Sequence, residues 1–101
     1  MIFIYITNPN IEEAKRISRY LLEKRLIACA NIFPITSMYW WEGEIEEGEE
    51  VVLIAKTVES KYESVKNAVS EIHTYDIPCI AKLDVSINEQ YSDWIRREVT
   101  G

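Results

Sequence analysis

His73-Thr74-Tyr75-Asp76 places an imidazole, a phenol and a carboxylate within four positions. On a loop that follows a helix, such a group can face a cleft, hold a cation or move a proton. The same residues have a plainer use, with His73 stabilising a helix C-terminus through the macrodipole and Asp76 turning the chain before Pro78. His73 is the only histidine, so a site built on two histidines cannot form within one chain. Cys29 and Cys79 lie about fifty positions apart without CxxC spacing, which suits reduced, buried thiols better than a disulfide or a zinc knuckle. Either would need His73 beside it, in an open electropositive setting, to act as a nucleophile. Glu42, Glu44, Glu46, Glu47, Glu49 and Glu50 could gather a hard cation, yet strand alternation sends them to different sides and favours a solvated hairpin tip.

The remaining chemistry is sparse. The three glycines form neither a GxxxxGK[ST] nor a GxGxxG pattern, so no loop cradles a nucleotide phosphate in a recognised way. Seventeen acidic against 11 basic side chains give a net charge of −6, which repels nucleic acid and anionic lipid alike. No stretch approaches the ~20 apolar residues of a membrane span. The apolar run Ile2 to Ile6 has no basic region before it and gives way at once to Thr7-Asn8-Pro9-Asn10, too short for a signal peptide, so the expected location is the cytoplasm.

The elements that must position these groups fit one domain over residues 1–101. Met1 to Thr7 reads as a central strand buried on both faces. Asn10 with Glu13 forms a capping-box pattern, and Ile11, Ala14, Ile17, Leu21 and Leu22 share a helical face, which predicts a helix to about Arg25. A second strand starts at Leu26, is interrupted at Pro34 and resumes at Ser37. It runs to a turn at Glu47-Gly48, with Glu42-Gly43 as the alternative turn, and returns over Glu50 to Thr57. Ser60, with Glu63 three residues on, caps a second helix that ends near His73. Cys79 to Val85 forms the last strand and Asn88 to Val99 the last helix. The order βαββαβ plus one helix predicts an α+β, ferredoxin-like split-βαβ sandwich: a four-stranded antiparallel sheet with helices on one face and an extended hairpin.

That hairpin outgrows the body. Ser37 to Glu46 extends on the order of 33 Å, whereas a 100-residue domain has a radius of gyration of about 13 Å. Trp40 and Trp41 point to opposite sides, with Tyr39 beside them. One side therefore needs a neighbouring copy, unless the last helix, carrying Trp94, folds over the bare sheet face.

Four blocks resemble the successive signatures of the CutA divalent-cation-tolerance family: Lys24 to Ile32, Ser37 to Glu46, Lys56-Thr57, and His73 to Pro78. The resemblance covers essentially the whole chain. It implies a ferredoxin-like subunit in a homotrimer with exchanged hairpins, clefts between subunits like those of PII signalling proteins, and a link to divalent cations, copper in particular. Where the family has His-Pro-Tyr this chain has His73-Thr74-Tyr75. Where copper-binding members carry a cysteine at the end of the first strand and a second histidine, it has Ile6 and Ile72, which leaves His73 alone of that set.

The combined expectation is a trimeric binding module and not an enzyme. His73 and Asp76 are the candidate metal ligands, and Cys29, Tyr39, Trp41, Lys56 and Tyr75 line the candidate ligand cleft. A divalent cation such as copper is the one candidate cofactor. A PII-like interaction module with an indirect metal phenotype is the rival reading. An acylphosphatase-like hydrolase is disfavoured because Thr7-Asn8-Pro9-Asn10 offers no anion-binding arginine.

Overall fold

Asn10 starts the first helix as expected. In the computed structural model, which describes residues 1–100, its Oδ1 accepts the Glu13 N–H at 2.8 Å. The reciprocal half of the capping box is not made, because Glu13 turns instead to Arg16 at 2.7 Å. Strand β1 (Ile2–Asn8) precedes that helix, α1 (Ile11–Glu23); β2 (Cys29–Trp41), β3 (Glu44–Thr57), a 3-10 turn (Glu59–Lys61), α2 (Tyr62–Ile72), β4 (Ile80–Asp84) and α3 (Glu89–Thr100) follow. The sheet order is β2-β3-β1-β4, with every neighbour antiparallel. The split-βαβ expectation therefore holds, with β3 between the two strands that α1 connects.

Alternation along β1 sorts the sheet into two faces. Ile2, Ile4 and Ile6 are fully buried with Leu53 and Ala55 against Ile17 and Leu21 of α1 and Val65 and Val69 of α2. Phe3, Tyr5 and Thr7 face the other way and are only half-buried, so β1 is closed on one face and not on both. The open face receives α3 at one end, where Tyr91 meets Cys29 and Lys56. Arg25, at a left-handed φ of 58°, ends the α1 turn in a position that usually takes glycine. Its guanidinium then anchors to the Glu98 carboxylate of α3 at 2.7 Å.

Three local expectations are corrected. The hairpin turns at Glu42-Gly43, with φ of 50° and 83°, while Gly48 sits inside β3 opposite Ser37. Two left-handed residues match the twist of the flanking strands in a two-residue loop. Pro34 does not interrupt β2 but pairs in register with Val51; β2 is an edge strand, which tolerates a residue without an N–H. Ser60 does not cap α2, which enters through the 3-10 turn without any side-chain cap.

The β2–β3 ladder runs unbroken from Cys29↔Lys56 to Trp41↔Glu44 and stretches the molecule to 45 × 25 × 21 Å. Its outer half is an arm. Met38 (68% exposed), Trp40 (73%) and Ile45 (61%) share one side, and Tyr39 (47%) and Trp41 (60%) the other. In the single chain neither side is covered.

Candidate functional site

One polar cluster lies at the end of β1 and a second on the open sheet face. The first begins where α2 stops: the His73 N–H closes the helix on Val69 O at 2.8 Å, and the chain turns extended at His73. The imidazole then bridges two backbone groups. Its Nδ1 accepts the Tyr75 N–H at 3.0 Å, and its Nε2 lies 2.8 Å from Thr7 O at the end of β1. An acceptor at Nδ1 assigns the proton of the neutral ring to Nε2, which donates to Thr7. The Tyr75 ring packs on His73 at 4.8 Å, and its hydroxyl donates to Glu50 Oε2 at 2.8 Å. Burial, then the bond to Glu50, raises the Tyr75 phenol above its ordinary value, so it acts as a fixed donor.

The cluster is a latch between the 73–75 loop, β1 and β3. Both ring nitrogens of His73 are committed, and a metal ion would have to displace one of those bonds. Asp76, the other expected metal ligand, is exposed and does not join the cluster. Ile6 belongs to the buried core on the helix side. Among the described residues, no three His, Cys, Asp or Glu side chains lie together in a position to hold a metal ion.

The second cluster joins β1, β2, β3 and α3. Cys29 and Lys56 are register partners. Tyr91 Oη lies 3.4 Å from Cys29 Sγ, and that hydrogen bond, with burial, raises the phenol above its ordinary value. Lys56 Nζ sits 5.3 Å from the ring centres of both Phe3 and Tyr91, an arrangement in which two ring faces stabilise the ammonium. Trp94 packs on Tyr91 at 5.4 Å. The thiols differ from expectation: Cys29 is half-buried and Cys79 is exposed, because Cys79 precedes β4 instead of lying within it.

Within one chain the expected cleft residues do not converge. Cys29 and Lys56 mark one end of the β2–β3 ladder, Tyr75 reaches its middle at Glu50, and Trp41 closes the far end. Twelve residues of strand separate Cys29 from Trp41, on the order of 40 Å. Sequence reasoning missed Glu50, which it assigned to the acidic tip, and also Phe3 and Tyr91. Counting back from the true turn at Glu42-Gly43 takes Glu50 off the tip and onto the body; for Tyr91, its grouping with Trp94 and Ile95 was the available signal.

A ferredoxin-like subunit with a long β2–β3 arm, one cluster at the end of β1 and one on its open face defines the class of protein. The chain belongs to the CutA1 family, whose model, CutA1 divalent ion tolerance protein, matches residues 2–98. The divalent-cation tolerance protein CutA of Thermococcus kodakarensis is 46% identical over 101 residues, covering 99% of this chain and 97% of that relative. The structure of the periplasmic divalent cation tolerance protein CutA from Archaeoglobus fulgidus superposes with a TM-score of 0.94 at 46% identity, covering 98% of this chain and 99% of that one. CutA1 from Pyrococcus horikoshii gives 0.93 at 44% identity, with 97% of each chain covered.

Proposed function

We propose that this divalent-cation tolerance protein works as a homotrimeric, non-enzymatic binding module of the cytoplasm. Each copy lays its arm along a neighbour, and the boundary between copies closes a ligand cleft. The observation that carries this reading is the arm, whose five large apolar side chains are 47–73% exposed in the single chain. Contiguous apolar surface of this kind marks association, and leaving it wet forfeits on the order of 10 kcal/mol at about 2 kcal/mol per side chain. Trp41 cannot reach Cys29 of its own chain, so only another copy's arm brings Trp41 to the Cys29, Lys56 and Tyr91 end.

The cleft receives a small ligand, and the tie to divalent cations runs through that ligand and not through copper on His73. Both imidazole nitrogens already hold backbone groups, which favours a PII-like module with an indirect metal phenotype over a direct copper carrier. The cytoplasmic assignment rests on two free thiols, which that compartment keeps reduced.

Sedimentation equilibrium at micromolar concentration, with metal analysis of the natively purified protein, tests the reading. The expected mass is three times the 11.8 kDa of one chain, without stoichiometric metal. A stable single chain removes the shared cleft, and copper retained at one ion per chain restores His73 as a ligand.

A further inference from the structure

We propose that the Lys56 cluster is a subsite for a small organic anion, recognised through a carboxylate or phosphate group. The inference rests on the cleft reading for its aromatic lid, while every donor comes from one chain.

The hydrogen-bonding inventory is one-sided. Five of the 11 basic side chains, Arg16, Arg25, Lys66, Lys82 and Arg96, each take a carboxylate, and among the others Lys56 alone lies over two aromatic rings. Lys56 is half-buried and takes none among the described residues, in a chain of net charge −6. The Phe3 and Tyr91 rings flank it at 5.3 Å, so its charge is held by π faces that leave the ammonium hydrogens free to point at a ligand. Cys29 and Tyr91 add a second surplus. Thiol and phenol carry one proton each, and their mutual contact at 3.4 Å uses one, which leaves the other without a protein acceptor among the described residues. Positive charge and spare donors without acceptors suit an anion; a metal cation would meet an ammonium and a single soft ligand. The two rings give an apolar wall for the rest of the molecule, the usual composition of a small-molecule site.

Sodium phosphate and sodium benzoate, titrated separately by calorimetry, test this. At least one binds wild type. Lys56→Gln weakens that binding by about tenfold or more, the loss of a charge-assisted contact. Lys56→Arg keeps binding within a few fold, and Lys82→Gln, on the far edge strand, behaves as wild type. Binding of phosphate alone identifies a phosphate group, and binding of benzoate alone a carboxylate. Silence of both anions, or equal losses in Lys56→Gln and Lys82→Gln, overturns the proposal. The mass of the same samples separates the two readings: a trimer blind to both anions sinks the subsite alone, and a single chain with Lys56-dependent binding keeps the subsite and sinks the shared cleft.

Discussion

Trp40→Ala separates an arm held by another copy from an arm left in water. Trp40 is 73% exposed in the single chain, on the side that carries Met38 and Ile45. A tryptophan offers up to about 250 Å² for burial, so roughly 180 Å² remain for a neighbour to cover. At ~25 cal/mol per Å² that is about 4.5 kcal/mol for each chain, an upper figure that imperfect coverage lowers to roughly 2–3. The loss repeats in every copy, so the assembly weakens by several decades. An indole already in water contributes little, and removing it changes stability by about 0.5 kcal/mol or less. Thermal unfolding at two protein concentrations a hundredfold apart is the assay, because an assembly is stabilised by mass action. For a domain of this size 1 kcal/mol moves the midpoint by about 4–8 °C, so the variant melts on the order of 10 °C or more below wild type, and the wild-type midpoint rises with concentration. Equal midpoints for both proteins at both concentrations refute the reasoning.

Three further outcomes follow from the geometry. Glu42 holds a left-handed φ of 50° beside Gly43; Glu42→Asn, which fits that region better, stabilises the protein by on the order of 0.5 kcal/mol in denaturant unfolding, and a lower midpoint contradicts the turn. The Tyr75 phenol is raised by burial and Glu50, so the folded state keeps a proton that the unfolded chain releases near pH ~10, and stability falls as pH rises past that value. Tyr75→Phe has a shallower alkaline decline, and identical slopes rule out this proton as its source. Cu²⁺ titrated into wild type and His73→Ala gives matching isotherms, while the variant loses about 1–2 kcal/mol of stability with its two backbone bonds; a binding event absent only from the variant makes His73 a metal ligand.

Much of the fold was legible because local signals and long-range packing agree. Asn10 and the apolar period after it fix α1, and Trp40 next to Trp41 announces an arm with two sides. The turn was misplaced for a definable reason. Glu42-Gly43 and Glu47-Gly48 are the same dipeptide, and local turn chemistry cannot choose between them. The choice is made about ten residues away, where only the first register sets Ala30 and Ile32 opposite Ala55 and Leu53 over the core. That slip also hid Glu50, which moves from an acidic tip to the partner of Tyr75. His73 and Tyr75 were legible as a pair, but the role of His73 as a brace depends on Thr7, sixty-six positions away. Tyr91 reaches Cys29 across the sheet from the last helix, a contact that no spacing in the sequence encodes.

Acrylamide quenching of a Trp94→Phe chain, which leaves Trp40 and Trp41 as its only indoles, measures directly whether the arm is covered in solution. The account requires blue-shifted emission and quenching well below that of free tryptophan, even though both side chains are more than half exposed in the single chain. Emission and quenching equal to free tryptophan would show bare arms and contradict it.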